Sequence, residues 1–223
     1  MIQALLHGKL SREQANMEDL LTSAVFGRLG YMPPQEGLLP FLRLARDRDG
    51  NRLLADLPDG TETETEFWRW LTFDDAEPCE PDVLVKLTTP DNRTYRVMVE
   101  AKFRSGKSSE SDSALVHPHD QLAREWDNLT RIAGADETPL LVYLTADVDL
   151  PADDIRDSIR ESLDKRAGSA PTILWLSWRH LYDVLDPAKG PMHADLLAAL
   201  KRLNLYYFRG VNADMGTFEW RFQ

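Results

Sequence analysis

Two short segments of the sequence contain carboxylates and a lysine at the spacing of neighbouring strands. Glu80-Pro81-Asp82 opens one predicted strand, and Glu100-Ala101-Lys102 closes the next one after an intervening turn. Because side chains alternate along a strand, Glu100 and Lys102 share one face. Antiparallel pairing would place Asp82 beside Glu100, so that both carboxylates could reach one hard cation such as Mg²⁺ or Mn²⁺. Such a cation suits phosphodiester chemistry, and Lys102 could orient the attacking water or stabilise developing negative charge.

These residues also have a purely structural interpretation. Glu100 and Lys102 could form an exposed ion pair, which usually contributes only ~0–1 kcal/mol to stability, and Asp82 could simply begin its strand.

A phosphate-binding P-loop is a second chemical alternative for the same segment. Residues 101–108 (AKFRSGKS) satisfy a relaxed P-loop pattern and follow an apolar strand. A P-loop needs a helix that starts at its Lys-Ser pair, because the amides of that helix hold the phosphates. The residues that follow are rich in serine and are interrupted by Pro118, so the context disfavours a P-loop.

The charge of the chain is negative and uneven. Thirty-seven Asp and Glu oppose 26 Lys and Arg, a net charge of −11, which disfavours an unaided nucleic-acid binder. Residues 93–107 are an exception to this negative charge, because this short segment is basic. We expect Arg104, Lys107 and Arg124 to contact a nucleic-acid backbone, and we expect weak, salt-dependent binding unless a protein partner or a second copy of the chain adds positive surface.

The predicted elements describe an α/β protein with a mixed sheet flanked by helices. A first helix follows a capping box at Ser11 and ends at Gly30, and His119 or Asp120 caps a later helix that precedes a buried strand at 140–145. Residues 31–60 are rich in proline and are predicted to form a connecting lobe. The remaining predicted elements are strands at 65–73, 83–88, 95–103 and 172–178, a helix that Gly168 ends, and helices at 179–185 and 192–203.

The two motifs and this order of elements resemble the PD-(D/E)XK phosphodiesterase superfamily, which has a restriction-endonuclease-like core. Pro81-Asp82 matches the PD element and Glu100-Ala101-Lys102 matches (D/E)XK, and the resemblance covers about residues 11–178. It implies one domain whose nuclease-like core spans 1–178, with helices and a strand from 179–223 packed on it.

The resemblance also implies roles for individual residues. Asp82 and Glu100 would be metal ligands, with Lys102 as the catalytic lysine. The helix before the strands would supply Glu18, or less favourably Asp19, as a further ligand. The helix after the lysine strand would add Gln121 to the catalytic set.

The function implied by the resemblance is Mg²⁺- or Mn²⁺-dependent hydrolysis of nucleic acid, with DNA as the favoured substrate. Residues 196–210 (LLAALKRLNLYYFRG) also resemble the terminal segment of members that act in bacterial defence against phage, which implies restriction of foreign DNA. The alternative is a catalytically silent, nuclease-like assembly subunit whose acidic surface docks a partner.

The remaining features indicate an ordinary globular chain in a reducing compartment. A single cysteine, Cys79, allows no internal disulfide, and no apolar run is long enough for a membrane helix, so we expect a cytoplasmic protein without a membrane partner. Trp68 and Trp70 have strand spacing, and Trp175 and Trp178 lie in another predicted strand. For both pairs, packing is the first expectation and base stacking the second.

Overall fold

The computed structural model of this chain describes residues 18–166 and 170–207. The helices are α1 Glu18–Leu29, α2 Leu38–Leu42, α3 Gln121–Ile132, α4 Ala152–Lys165, α5 Leu181–Val184 and α6 Pro191–Arg202. The strands are β1 Glu62–Phe67, β2 Leu71–Phe73, β3 Ala76–Cys79, β4 Val83–Thr88, β5 Thr94–Ala101, β6 Glu137–Thr145 and β7 Ile173–Ser177. Short 3₁₀ turns lie at Pro34–Glu36, Trp178–His180 and Pro187–Lys189.

Five strands form one mixed sheet in the order β1-β4-β5-β6-β7. The pairs β1/β4 and β4/β5 are antiparallel, and the pairs β5/β6 and β6/β7 are parallel. Parallel neighbours need a crossover connection, which α3 supplies between β5 and β6 and α4 supplies between β6 and β7. The predicted α/β class, with a mixed sheet flanked by helices, is confirmed.

Helices cover both faces of the sheet. One face packs against α1, α2, α5 and α6 through a large apolar cluster that includes Val97 and Val99 of β5. The opposite face packs against α3 and α4 through a second cluster that includes Met98. Because both faces are buried, β6 and β7 are almost continuously apolar rather than alternating. Glu100 therefore projects into a covered face.

The predicted strand at 65–73 is wrong as a single element. Trp68 adopts a φ of 47°, in the left-handed region, and this ends β1 at Phe67. The chain then forms a separate two-stranded sheet, in which Leu71 of β2 pairs with Cys79 of β3. Leu71 and Cys79 belong to the apolar cluster that contains residues of α3, so this hairpin lies on the α3 face.

The segment 31–60, predicted as a connecting lobe, packs into the main core. Leu39, Phe41 and Leu54 are buried in the same cluster as the central strands. Beyond α2, Arg46 pairs with Trp175 of β7 through two backbone hydrogen bonds of 3.1 and 2.7 Å.

Several predicted boundaries are confirmed and others fall outside the described residues. The strand at 83–88 is present as predicted, α1 ends beside Gly30, and Asp120 caps α3 by accepting from the amides of Leu122 and Ala123. The predicted helix start at Ser11, the stop at Gly168 and the final strand beyond 207 lie outside the described residues. No helix within 18–166 or 170–207 has the length and apolarity needed to cross a membrane.

Candidate metal centre

Three carboxylates from distant parts of the chain meet at one end of the sheet. Glu18 is the first residue of α1, Asp82 immediately precedes β4, and Glu100 lies near the end of β5. The antiparallel register pairs Val83 with Val99, which brings Asp82 and Glu100 together across the two strands. One oxygen of each of the three carboxylates lies within 4.8 Å of the others. The predicted set of metal ligands is therefore brought together by the fold.

Backbone amides at the end of β5 hold two of these carboxylates in place. Asp82 Oδ2 accepts from the amide of Ala101 at 2.8 Å. Glu18 Oε2 accepts from the amide of Phe103 and from the hydroxyl of Ser105, both at 2.7 Å. The chain that leaves β5 thus fixes a carboxylate from the strand beside it and another from α1.

Lys102 lies on the carboxylate side of the chain, as strand alternation predicted. Its Nζ is 2.7 Å from Glu100 Oε1 and 3.4 Å from Glu18 Oε1. Its carbonyl accepts from the indole of Trp178 at 3.1 Å, and its amide donates to Leu144 at 2.7 Å, so its backbone is anchored too. The side chains of Lys102 and Glu100 are only 8% and 4% exposed, so the exposed-pair interpretation is wrong.

Gln121, the first residue of α3, binds both the centre and the loop before the helix. Its Nε2 donates to Glu100 Oε1, and its Oε1 accepts from the amide of Ser108 at 2.7 Å. The same Nε2 also donates to Glu125 Oε1 at 3.1 Å.

Sequence reasoning did not identify Glu125. This residue is buried one helical turn after Gln121, and its carboxyl group lies within hydrogen-bonding reach of Glu100. The i, i+4 spacing to Gln121 was the available signal, because residues at that spacing lie on one side of a helix.

Burial and mutual repulsion alter the acidity of the site. Burial, followed by the charge of Glu100, raises the pKa of Asp82 to about 7. Burial also raises the pKa of Glu100, against the opposing effect of Lys102, and raises that of Glu125 well above its usual range. For Lys102, burial lowers the pKa, but the carboxylates around it outweigh burial and the net direction is upward.

The donors fit a hard divalent cation. Glu18, Asp82 and Glu100 offer only carboxylate oxygens, which are the ligands that Mg²⁺ and Mn²⁺ prefer. Burial and then the charge of Glu100 raise the pKa of Asp82, and a bound cation would offset both effects.

The three predicted phosphate contacts have different surroundings. Arg104 is exposed beside the centre, with its guanidinium 4.9 Å from the ring centroid of Phe103. The Lys107 side chain is buried, with its Nζ paired to Asp120, so it is not placed to contact a nucleic-acid backbone. Arg124 Nη1 lies 3.8 Å from Glu77, so this guanidinium is partly neutralised.

The P-loop alternative lacks its helix. The segment after Ser108 continues without regular structure until α3 begins at Gln121. No helix N-terminus therefore follows the Lys-Ser pair to hold phosphates.

Comparisons of the chain with protein-family models, with curated proteins and with solved structures returned no match. Function is therefore inferred from the geometry and chemistry of the centre.

Proposed function

We propose that this protein is a metal-dependent phosphodiesterase that hydrolyses nucleic acid, with DNA as its substrate. The observation that supports this most strongly is the convergence of Glu18, Asp82 and Glu100 within 4.8 Å of one another, with the ammonium of Lys102 against two of them. These residues come from three separate elements, so local sequence alone does not account for their convergence.

Glu18, Asp82 and Glu100 would hold the metal. When bound, a divalent cation neutralises charge on a phosphate and lowers the pKa of a coordinated water. Lys102 supplies a second positive charge beside these ligands, and its ammonium can donate to the attacking water or to a phosphate oxygen. Because backbone contacts and Glu100 already fix Lys102, little reorganisation is needed when negative charge develops.

Gln121 acts through Glu100 and is best described as a positioning residue. Its amide oxygen accepts from the Ser108 backbone, which turns its amide nitrogen towards Glu100 and Glu125. The helix that begins at Gln121 therefore sets the orientation of a candidate metal ligand on β5. Outer partners of this kind commonly tune metal affinity.

Proton binding at Asp82 competes with metal binding. Since burial raises the pKa of Asp82 to about 7, this carboxylate is largely protonated in mildly acidic solution. A divalent cation must displace that proton, so metal affinity is expected to rise as the pH increases through 7.

The direct test is cleavage of circular plasmid and of single-stranded oligonucleotides with Mg²⁺, with Mn²⁺ or with EDTA. Glu100→Ala and Lys102→Ala are each expected to reduce metal-dependent cleavage at least ~100-fold. Glu64→Gln is the matched control, because Glu64 is an exposed carboxylate on the edge strand β1. Full activity in both site variants would refute the assignment.

Calorimetric titration with Mn²⁺ separates the enzyme from the silent assembly subunit. Metal binding that disappears in Glu100→Ala supports the proposal, and the absence of any carboxylate-dependent binding favours the subunit. The role in restricting foreign DNA stays a prediction, to be tested by phage plating on cells that express the wild type or Glu100→Ala.

A further inference from the structure

Trp68-Arg69-Trp70 forms an exposed aromatic turn between β1 and β2. Trp68 is 40% exposed and Trp70 is 60% exposed, whereas Trp175 and Trp178 are completely buried. The packing expected for both tryptophan pairs therefore holds only for the second pair. Trp68 also has a φ of 47°, a backbone conformation that bulky side chains seldom adopt. This turn thus exposes two indoles on a strained backbone.

The aromatic turn begins beside the candidate metal centre. The amide of Trp68 donates to the carbonyl of Asp82 at 3.3 Å, and paired strands place facing residues ~5 Å apart. After Trp70, the chain enters β2, where Leu71 joins the apolar cluster of Met98 on the sheet face that also contains Glu100. The turn therefore crosses the sheet edge from the face where Phe67 packs to the face that contains Glu100.

Phe67 supports the first of these indoles. Its ring centroid is 5.4 Å from that of Trp68, in a tilted arrangement. A neighbouring ring limits the movement of an exposed side chain, so Trp68 is partly ordered before any ligand arrives.

Of the three predicted phosphate contacts, only Arg104 is exposed beside the centre, which is little positive charge for the capture of a duplex backbone. The Lys107 side chain is buried against Asp120, and Arg124 lies near Glu77. In the aromatic turn, Arg69 lies 3.3 Å from Glu66. Stacking on an aromatic ring adds binding energy that does not come from phosphate contacts, so it can supplement the few cations near this centre. It does require a base whose face is accessible, which a base inside an intact duplex does not offer.

We propose that Trp68 and Trp70 stack on unpaired bases and that the substrate of this centre is single-stranded nucleic acid. This inference rests on the proposed phosphodiesterase function and specifies its substrate class. Arg69, between the two indoles in sequence, adds a planar guanidinium that can stack on a base while it stays paired with Glu66.

The test is fluorescence anisotropy with a labelled 20-nucleotide thymidine oligonucleotide and, separately, a labelled 20-base-pair duplex. The protein is full length and carries Glu100→Ala, and the buffer contains EDTA, so that binding is measured without cleavage. Trp68→Ala and Trp70→Ala are each expected to weaken single-strand binding about tenfold, and to change duplex binding by less than twofold. Salt should weaken single-strand binding by the parent and by the variants alike, and the tenfold loss should persist at 200 mM NaCl, because the lost contact is not a phosphate contact.

Tyr31→Ala is the matched control. Tyr31 is an aromatic residue that is 84% exposed, and it follows α1 at the end opposite Glu18, about 18 Å away along a 12-residue helix. The Tyr31→Ala variant should bind the oligonucleotide with the same affinity as the parent protein. Circular dichroism and thermal unfolding establish that each variant is folded, and Trp70→Ala tests the inference without altering the strained residue.

The outcomes separate this inference from the proposed function. Trp-dependent single-strand binding without metal-dependent cleavage would support the stacking surface and refute the enzyme. Cleavage that is unaffected by either tryptophan variant, with unchanged oligonucleotide binding, would refute the stacking surface and leave the enzyme intact. If the parent binds neither oligonucleotide nor duplex, the inference is overturned, and the aromatic turn is then better regarded as a protein-docking surface.

Discussion

Replacing Asp82 with asparagine is expected to stabilise the metal-free protein. Burial and the neighbouring Glu100 raise the pKa of Asp82 from an ordinary 3.8 to about 7. The folded state therefore binds this proton more tightly than the unfolded chain does. Between about pH 4 and pH 7, the contribution of Asp82 to the free energy of unfolding falls as the pH rises, because the unfolded chain has already lost the proton that the folded protein retains.

The size of the expected stabilisation follows from the change in the pKa of Asp82. At ~1.4 kcal/mol per pH unit, ionised Asp82 destabilises the folded state by about 4 kcal/mol at most above pH 7. Asparagine avoids this cost, and its side-chain oxygen can still accept from the amide of Ala101. Its amide group has carboxylate acceptors nearby, because Glu18 and Glu100 lie within 4.8 Å. We expect a gain of about 2 to 4 kcal/mol at pH 8 in EDTA.

The assay is urea unfolding of the wild type and Asp82→Asn between pH 4 and pH 8, in EDTA and in excess Mn²⁺. The difference in the free energy of unfolding between the two proteins should be near zero at pH 4 and should grow towards pH 7. Excess Mn²⁺ should stabilise the wild type by about 2.7 kcal/mol at 100 times its Kd and should have little effect on the variant. Asp136→Asn, at an exposed position, is the control for removal of a charge.

One result would refute this reasoning. If Asp82→Asn is no more stable than the wild type at pH 8 in EDTA, while Asp136→Asn is neutral, then ionised Asp82 does not destabilise the metal-free fold. A stability difference that does not change between pH 4 and pH 8 would show that the effect of the substitution has another cause.

Two further predictions concern buried charges around the centre. Lys107→Met should destabilise the protein by about 3 to 5 kcal/mol in urea unfolding, because the buried carboxylate of Asp120 then loses its ion-pair partner and keeps only the backbone amides that it caps; a change below 1 kcal/mol would contradict this. Glu125→Gln should change the free energy of unfolding at pH 7 by less than ~1 kcal/mol, because burial raises the pKa of Glu125 and so favours its uncharged form, and glutamine can still accept from Gln121; a loss above ~2 kcal/mol would contradict this.

Local pattern was sufficient for the elements that hold most of the centre. Residues 83–88 are mostly apolar, which predicts a buried strand, and the structure has β4 at those residues. The alternation that places Glu100 and Lys102 on one side needs only the geometry of an extended chain. The cap of α3 was predictable as well, because a carboxylate before a helix satisfies free amides within three residues of itself.

Other features were not readable from local pattern because they depend on contacts between distant residues. The residues around Trp68 do not predict a left-handed backbone at this position. The two-residue spacing of Trp68 and Trp70 is instead typical of a continuous strand. Lys107 lies in a basic, serine-rich segment that is typical of an exposed loop. Its side chain is nevertheless buried, because it pairs with Asp120, 13 residues further along the chain. Glu125 becomes part of the site only because α3 packs over the end of β5.

The sequence by itself determined the strands β4 to β7, the covered α/β class and the side of the chain on which Glu100 and Lys102 lie, since these depend on the periodicity of neighbouring residues. Only the tertiary structure decided that Glu18 reaches Asp82 and Glu100, because 82 residues separate it from the strand end that it contacts. It also decided the acidity of the centre. Burial raises the pKa of a carboxylate by removing water, and which carboxylates lose water depends on how the helices cover the sheet.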